Sequence, residues 1–541
     1  MPDQSAIENR RVLISPDWLL LAGFCGFLFF FGLAAFGLVG ADEPRYAQVA
    51  REMLARHDWI TPTLSGKPWL EKPALYYWQA IIAYRIFGVS DWVARLPSAV
   101  DATLMVVAVY LFLRRFRPGV ALDGALMTAS AAGVIGFARA AAMDMPLAAT
   151  FTIALLAWFA WHESSSKWQL AVAYFFLGLA ALAKGPVAPC LAAVIVALFA
   201  LAKREASIIT RTLWLPGILT FAVVTLPWYI AVQLKNPEFF RVFILEHNLA
   251  RFGTNLYHHP QPFWFYIPVT LLGLLPWTVF SCAALATAIR EWWMKKAEPP
   301  GPESALSVFL TIWLITPVIV FSLSRSKLPG YILPALPAGT ILLAEYMRRQ
   351  MSTGKLSHLA LVLLHSLVAA APMVPALMIQ YILLQHRLPW GRAAAISFSF
   401  AALLATGIAF TLYDRPGLRI LRFVTLIPVV LAVAVVLRLG APTLDASLSA
   451  RPLAAEISKM ENGNLPAAVF QVRRETEYGL QFYRNQPIAR YEAGQIPAGE
   501  HILVAPQGME TQIMNQLRGR HVTYLGTFDA QRLDYYWVAE R

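Results

Sequence analysis

Four polar side chains that can take part in chemistry follow a long apolar run near the start of the sequence. In GADEPRYAQVAREML, residues 40–54, Asp42, Glu43, Arg45 and Tyr46 come directly after a stretch that is almost entirely apolar. A carboxylate here could act as a general base, and a guanidinium could bind an anion. The structural alternative is an acidic cap on a following surface helix, because a helix amino terminus stabilises negative charge.

Similar groups lie beside other apolar runs along the chain. They are acids, bases and tyrosines: Lys67, Glu71, Lys72, Tyr76, Asp144, Lys184, Glu246, His247, Arg251, Lys327 and Tyr331. Each has an ordinary alternative, such as a lysine that extends towards lipid headgroups or an acid that caps a helix. A set of cations with a few carboxylates is also what a phosphate-bearing ligand requires, and the aromatic residues nearby would suit a sugar or a lipid headgroup.

The composition identifies the class of protein that must position these groups. The chain has 541 residues, of which 58% are hydrophobic and 14% are charged, whereas soluble domains carry roughly 25% charged residues. Its net charge of +13 comes from short basic clusters between apolar runs, which fits membrane topology better than binding of nucleic acid. The sequence therefore predicts a mainly α-helical, polytopic membrane bundle.

About 13 apolar segments are long enough to be candidate spans. They lie near residues 17–39, 98–113, 121–138, 146–161, 169–183, 187–202, 213–233, 263–289, 305–323, 331–346, 358–379, 392–412 and 420–438. If basic clusters remain inside, the amino terminus is cytoplasmic and the carboxyl terminus is on the far side. Every candidate polar residue then lies at or near an outward helix end. The cations among them are unexpected there, because Lys and Arg are usually in excess on the cytoplasmic side.

The outward face carries two longer loops and a tail. The loops are predicted at residues 40–97 and 234–262, and the first contains an amphipathic segment that suits a helix lying on the membrane surface. After residue 438 the composition changes to short β-rich runs alternating with helical stretches. We expect a transmembrane domain over residues 1–438 and a small soluble α/β domain over residues 439–541. Glycine-rich nucleotide-binding patterns are absent, which argues against an ATP-driven pump.

Six motifs together resemble the bacterial lipid A aminoarabinose transferases. These are ADEPRYAQVAREM, GKPWLEKPALYYW, RAAAMDMPL, LAKGP, EHNLARF and SKLPGYILP, and they cover roughly residues 15–345. More broadly they resemble membrane glycosyltransferases with lipid-phosphate sugar donors, including protein O-mannosyltransferases. The resemblance implies a GT-C fold and an inverting transfer of a sugar, 4-amino-4-deoxy-L-arabinose, from undecaprenyl phosphate to lipid A. It also implies a location in the bacterial inner membrane, with a role in lipopolysaccharide modification and polymyxin resistance.

The resemblance assigns roles residue by residue. Asp42 matches the family's essential acid, and Lys72 and Arg251 match basic residues near the donor phosphate. Glu71 and His247 match positions where a divalent ion, zinc, would sit, although one His and one Glu are too few for a closed structural zinc site. The chemistry itself requires no cofactor, because side-chain cations can meet the departing phosphate.

Asp144 is the second candidate catalytic acid, for contact with the sugar or the acceptor. Lys184 and Lys327 are further candidates for the phosphate, while Tyr331 matches a family tyrosine. Gly330 stands where the family often has a larger polar residue, which leaves the choice of sugar open.

Two other functions remain open at this point. The same site could transfer another sugar, or use a protein hydroxyl as acceptor with Asp42 as general base. A flippase for lipid-linked sugars would also bind a headgroup, but the internal repeats and interrupted helices common in transporters are not evident. We expect membrane lipids, the lipid-linked donor and lipid A as partners, no nucleic acid, and a monomer.

Overall fold

The computed structural model describes residues 15–250, 261–294, 299–353, 359–383, 390–413, 420–460, 465–517 and 519–540. It is a mainly α-helical bundle with a small mixed sheet near the carboxyl terminus. The predicted fold class, a helical membrane bundle followed by a small α/β region, is therefore confirmed.

Helices follow one another through the first 448 residues with few interruptions. The α-helices are α1 Pro16–Cys25, α2 Asp42–Ala55, α3 Leu75–Phe87, α4 Asp91–Phe116, α5 Ala121–Ser130, α6 Ala132–Ala138, α7 Asp144–Ser164, α8 Lys167–Lys184, α9 Val187–Lys203, α10 Ser207–Thr212, α11 Leu215–Lys235, α12 Tyr266–Gly273, α13 Thr278–Met294, α14 Pro302–Ser322, α15 Leu336–Thr353, α16 Leu359–Ala370, α17 Met373–Leu383, α18 Trp390–Tyr413, α19 Leu421–Val435 and α20 Ala441–Leu448. Wider π-helical turns cover Gly26–Phe30, Phe240–Ala250 and Val436–Gly440, and 3₁₀ turns cover Pro118–Val120, Phe263–Phe265 and Pro329–Ala335.

Within the described residues, seven helices are long and apolar enough to cross a membrane, or nine if each bent pair of helices forms one span. The seven cover Asp91–Phe116, Asp144–Ser164, Leu215–Lys235, Glu303–Ser322, Leu359–Ile379, Gly391–Tyr413 and Leu421–Leu448. The chain is a multi-pass membrane protein. The count of 13 spans stays a prediction.

Two segments that were each predicted as one span are bent. The segment predicted over 121–138 bends by 61° between α5 and α6, and the one predicted over 263–289 bends by 117° between α12 and α13. The two breaks meet, because the Ala132 amide donates to the Leu275 carbonyl at 2.8 Å. Backbone groups released by a break within a membrane need such partners. This hydrogen bond gives one backbone group of each break its partner.

The first span also differs from its prediction, because helical structure ends at Phe30 and not near residue 39. Residues 31–41, here called the strap, contain no regular helix and lead directly into Asp42 at the start of α2. Gly32 and Gly40 have φ values of +69° and +67°, a backbone conformation that glycine adopts without steric cost. Glycine therefore lets the chain leave the helix and enter the loop that begins at residue 40.

The carboxyl-terminal unit is a five-stranded sheet with helices on both faces. Its helices are α21 Arg451–Met460, α22 Arg474–Arg484 and α23 Glu510–Gln516, and its strands are β3 Ala467–Val469, β4 Ile488–Arg490, β5 His501–Pro506, β6 Val522–Phe528 and β7 Leu533–Val538. The strand order is β4-β3-β5-β7-β6, parallel across β4, β3 and β5 and antiparallel across β5, β7 and β6. Buried residues of β5 alternate between the two faces, as strand geometry requires.

Two very short strands complete the secondary structure that frames the site. β1 Thr63–Leu64 and β2 Lys67–Pro68 form an antiparallel hairpin in the loop over residues 40–97. The Ser65 and Gly66 amides at its tip donate to the Glu52 carboxylate of α2, at 2.8 and 3.1 Å. The hairpin is thus tied to α2 and leads the chain back towards Glu71 and Lys72.

Candidate active site

A pocket of 410 Å³ brings together five of the residues that were selected from the sequence. Glu71, Lys72, Lys184, His247 and Tyr331 all line it, although they come from four separate parts of the chain. Asn248 and Ser324 add further polar groups, and neither was selected from the sequence. The pocket therefore combines cations, a carboxylate, an imidazole and a phenol at one position.

The rest of the pocket lining is mostly apolar and comes largely from α9, α14 and the π-helical segment. These residues are Leu147, Pro186, Val187, Cys190, Leu191, Val194, Phe243, Val320 and Phe321. A cleft with an apolar wall and a few convergent polar groups suits a ligand that has an apolar body and a polar head. Part of this wall comes from α14, which is long and apolar enough to cross a membrane.

Asp144 and Lys184 form an ion pair at this pocket. The Lys184 Nζ donates to Asp144 Oδ1 at 2.5 Å, with 14% and 18% of the two side chains exposed. The same ammonium lies 4.8 Å from the centre of the Tyr331 ring. A carboxylate and an aromatic face therefore orient the Lys184 side chain.

Gly330 explains how Asp144 can lie so close to the loop that carries Tyr331. A Cβ atom added at Gly330 would lie 2.2 Å from Asp144 Oδ1 and 3.1 Å from Phe137 Cε1. Any larger residue would therefore displace the carboxylate. The family difference noted at Gly330 thus bears directly on the position of a candidate catalytic acid.

The end of α8 also depends on a glycine. Gly185 follows Lys184 with φ of +90°, and an added Cβ would lie 2.7 Å from Phe243 Cζ. The LAKGP motif therefore ends the helix, turns the chain into α9 at Val187, and lets the π-helical segment that carries His247 pack against the turn.

Asp42 lies at the amino end of α2, where Arg45 holds its carboxylate. Arg45 Nη2 is 2.5 Å from Asp42 Oδ1, and its guanidinium carbon lies 5.0 Å from the ring centres of both Tyr46 and Trp69 and 5.7 Å from that of Tyr478. The Arg45 side chain is 11% exposed, whereas that of Asp42 is 56% exposed. The aromatic rings thus fix the guanidinium, which in turn presents a carboxylate that remains open to solvent.

The shifts in pKa link the two groups of residues electrostatically. Burial alone would lower the pKa of Arg45, but Tyr46, Asp42 and Glu71 raise it above its usual range. Burial raises the pKa of the Tyr46 phenol, and the charges of Asp42 and Asp144 raise it further. Asp42 thus acts on both side chains, Glu71 acts on Arg45, and Asp144 acts on Tyr46.

Glu43 differs from its neighbour Asp42 in its surroundings, and its contact with substrate stays a prediction. Its carboxylate pairs with Arg95 at 2.7 Å and accepts the amides of Val39 and Ala141, both at 2.8 Å. With 7% of the Glu43 side chain and 1% of the Arg95 side chain exposed, the pair is a buried internal contact. It joins the strap before Asp42 to the turn before Asp144.

Two further sequence-selected residues are turned away from the pocket. Tyr76 is fully buried, and its hydroxyl donates to the Ala94 carbonyl at 2.8 Å. Lys67 is exposed on the hairpin strand β2. Their contacts with substrate stay predictions, with Tyr76 packed inside the loop over residues 40–97 and Lys67 facing solvent.

Three predictions in the later loops have different outcomes. Glu246 Oε1 accepts from Arg241 at 2.6 Å and does not line the pocket. Lys327 is buried, and its ammonium donates to the Ser324 carbonyl. The contacts of Glu246 and Lys327 with substrate stay predictions. Arg251 lies outside the described residues.

The predicted metal position contains two candidate ligands. His247 Nε2 is 3.7 Å from Glu71 Oε1, and no group of three or more His, Cys, Asp or Glu side chains that could hold an ion occurs in the described parts of the chain. Zinc sites in proteins use three or four protein ligands. The described residues do not make a complete set, and no chemical step is assigned to a metal.

Two arginines that hold the strap were not selected as site residues. Arg95 donates to the carbonyls of Leu33, Phe36 and Gly37 at 2.7 to 3.0 Å. Arg139 donates to those of Leu28, Phe31 and Gly32 at 2.9 to 3.2 Å. An arginine inside an otherwise apolar helix, as Arg95 is in α4, was the signal that could have identified one of them.

Comparison with known proteins identifies the relatives of this chain. Residues 71–230 match the family model described as dolichyl-phosphate-mannose-protein mannosyltransferase. The undecaprenyl phosphate-alpha-4-amino-4-deoxy-L-arabinose arabinosyl transferase of Pseudomonas aeruginosa strain UCBPP-PA14 is 31% identical over 347 residues, which cover 62% of this chain. Enzyme 2 of that name from Pseudomonas fluorescens strain Pf-5 is 32% identical over 372 residues, which cover 67% of this chain. The chain is a homologue of these transferases.

The solved structure of ArnT from Cupriavidus metallidurans bound to undecaprenyl phosphate has the same fold. It superimposes with a TM-score of 0.77 at 22% sequence identity, over 96% of this chain and 97% of the other. The GT-C fold and the resemblance expected from the sequence are both confirmed. The chain spans 60% and 61% of the length of the two curated transferases.

The contrast between Glu43 and Asp42 gives a test of stability. We expect Glu43→Ala to lower the thermal unfolding temperature strongly, because removing one partner of a buried ion pair costs about 3–5 kcal/mol. Asp42→Ala is the matched control from the adjacent position, and loss of an exposed pair costs about 1 kcal/mol or less. Unfolding of the purified variants in detergent measures the difference. Equal shifts for the two variants would show that Glu43 has no special structural role.

Proposed function

We propose that this protein transfers 4-amino-4-deoxy-L-arabinose from undecaprenyl phosphate to a phosphate of lipid A, with inversion at the anomeric carbon. The reaction takes place on the periplasmic face of the bacterial inner membrane. The amino terminus is then cytoplasmic, and the carboxyl-terminal sheet is periplasmic. The names of the curated homologues support the donor and the sugar.

One observation carries the proposal. Lys72 and Lys184 line the same pocket, which has an apolar wall, and Asp144 pairs with Lys184 there. A polyprenyl chain cannot leave the bilayer, so its phosphate must react at the membrane edge. The pocket offers an apolar surface for the lipid and cations for the phosphate at that position.

The leaving group determines what the cations do. The bond between the anomeric carbon and the donor phosphate oxygen breaks, and its electron pair stays on undecaprenyl phosphate. Lys72 and Lys184 stabilise the negative charge that this phosphate gains, which for one such contact amounts to about 3 kcal/mol of the barrier. Arg251, which is a family match, is proposed for the same task.

The acceptor phosphate attacks the anomeric carbon from the opposite face. Its second pKa is about 6, so the attacking oxygen is already anionic at neutral pH and needs no general base. Asp42 then orients the sugar, binds its amino group and stabilises positive charge on the ring in the transition state. Asp144 contacts the sugar or acceptor while holding Lys184.

No cofactor is required by this sequence of steps, because the charge on the departing phosphate meets side-chain cations. We also propose that Glu71 and His247 bind zinc, and the reaction does not require this ion. The remaining proposed partners are bilayer lipids, and the proposed working form is a monomer.

Transfer to a protein hydroxyl is the second candidate function, which the match to the mannosyltransferase family model favours. Such an acceptor is not ionised at neutral pH, so Asp42 would have to remove its proton as a general base. The two reactions therefore differ in product and in the role of Asp42.

The decisive experiment expresses the protein in cells that make the lipid-linked aminoarabinose donor but have no transferase of their own. Mass spectrometry of lipid A should show an increment of one pentosamine. Asp42→Asn should abolish the increment, because the sugar is no longer oriented and the ring charge is no longer stabilised. Asp529→Asn, an exposed acid of the carboxyl-terminal sheet region, is the control and should retain it.

Each other outcome has a distinct meaning. Unmodified lipid A with newly glycosylated proteins would favour the mannosyltransferase-like reaction. Movement of the lipid-linked sugar across the membrane without any transfer product would favour a flippase. Full activity of Asp42→Asn would contradict the role proposed for that residue.

A cysteine in the pocket wall gives a direct test of donor binding. Cys190 lines the pocket, Cys282 is exposed elsewhere and Cys25 is buried. In a Cys282→Ser variant, undecaprenyl phosphate should slow the reaction of Cys190 with a maleimide, because the lipid covers the apolar wall. Undecaprenol, which lacks the phosphate, should protect less. Equal labelling with and without undecaprenyl phosphate would contradict binding in this pocket.

A further inference from the structure

The carboxyl-terminal sheet unit contacts the strap that leads to Asp42. Arg451 Nη1 and Nη2 donate to the Ala34 and Ala35 carbonyls at 3.2 and 3.5 Å. Arg451 also pairs with Asp91 at 2.8 Å and with Asp445 at 2.7 Å. One guanidinium therefore joins the strap, the start of α4 and the carboxyl-terminal unit.

Amide groups of the strap are bound from the same side. The Gly37 amide donates to Asp445 Oδ1 at 2.8 Å, and the Leu38 amide donates to the Tyr483 hydroxyl at 2.7 Å. The carbonyls of the strap are bound as well. Arg95, Arg139 and Arg451 together donate to every carbonyl from Phe31 to Gly37.

The fit around Gly37 is too close for any other residue. An added Cβ would lie 2.4 Å from Ser449 Oγ, 2.5 Å from the Tyr483 hydroxyl and 2.9 Å from Arg451 Cβ. A backbone that passes this close to three side chains has a defined path. The path ends five residues later at Asp42.

Helix α22 reinforces the contact beyond the strap. Arg51 of α2 donates to the Phe482 carbonyl at 2.9 Å, and the Gln481 amide donates to Ser65 of the hairpin at 2.8 Å. Tyr478 of the same helix forms one side of the aromatic surroundings of Arg45. The carboxyl-terminal unit thus touches the strap, α2 and the hairpin, which are the three segments around Asp42.

We propose that the carboxyl-terminal unit sets the position of Asp42, with Arg451 and Tyr483 as positioning residues for the sugar transfer. Neither residue lines the pocket, so both act through the strap. The consequence for turnover rests on the proposed function, whereas the effect on the strap does not.

Two conservative variants test the proposal in the full-length protein. Tyr483→Phe keeps the ring and removes the oxygen that accepts the Leu38 amide. Arg451→Lys keeps the charge beside Asp445 and Asp91 but loses the fork that reaches two carbonyls. We expect faster hydrogen exchange of the amides in residues 31–46 for both variants, because these groups lose partners or neighbours.

Matched controls lie in the same unit away from the strap. Tyr524→Phe removes an exposed hydroxyl that pairs with Thr527. Arg473→Lys changes an arginine whose side chain is 86% exposed. Neither control should change the exchange of residues 31–46 or the rate of transfer.

Turnover supplies the second measurement. The two positioning variants should lower kcat on the order of 10-fold, because small displacements of a catalytic group reduce the rate without removing it. KM and the protection of Cys190 by undecaprenyl phosphate should stay unchanged, because the pocket is intact. A purely structural role would instead lower the amount of folded protein and leave kcat per folded molecule unchanged.

The outcomes separate this inference from the proposed function. Unchanged exchange across residues 31–46, or faster exchange with unchanged kcat, would overturn the inference. A wild-type protein that transfers no sugar would overturn the proposed function, and exchange in the variants would still decide whether the carboxyl-terminal unit holds Asp42 in place.

Discussion

The structure depends on how a non-helical piece of backbone at the membrane edge obtains its hydrogen bonds. Helices satisfy their own backbone groups, but the strap does not, and unpaired groups at this depth are costly. Three arginines supply the missing donors, each binding two or three carbonyls. The guanidinium group suits this task because it presents five donors in a fixed plane. The path of the chain into Asp42 follows from these contacts.

The same contacts connect elements that are far apart in the sequence. Arg95 belongs to α4, Arg139 follows α6, and Arg451 begins α21. Glu43 balances the charge of Arg95 and reaches the turn before Asp144 through the Ala141 amide. The two candidate catalytic acids are therefore held by one connected network, so a change in any of its members should be felt at both.

Charge at the pocket is arranged differently from charge in this network. Glu43 and Arg95 are buried and satisfied internally, whereas the Asp42 carboxylate is largely exposed and Lys184 faces the pocket. Asp144 restrains Lys184 without burying it. The site thus separates groups that fix its shape from groups that can meet a ligand, which is what electrostatic stabilisation of a departing phosphate requires.

Much of this arrangement was predictable from the sequence, because it follows from local sequence patterns. Apolar run lengths predicted the helical bundle, and the motifs around Lys72, Asp144 and Lys184 predicted groups that now lie at one pocket. The opposite roles of Asp42 and Glu43 were not predictable, because adjacent helical residues point about 100° apart and the sequence does not say which direction is buried. Arg451 gave no local signal of this role, since its partners in the strap and in α4 lie 360 to 417 residues away.

The most direct test of the central claim is an electron cryomicroscopy structure of the full-length protein in lipid nanodiscs with undecaprenyl phosphate. The account predicts density for the phosphate within hydrogen-bonding distance of Lys72 and Lys184, with the polyprenyl chain along the apolar wall that contains Cys190. Asp42 and Asp144 should lie on the side of the phosphate where the sugar would be attached. A phosphate bound away from both lysines, or at the opposite end of the bundle, would contradict it.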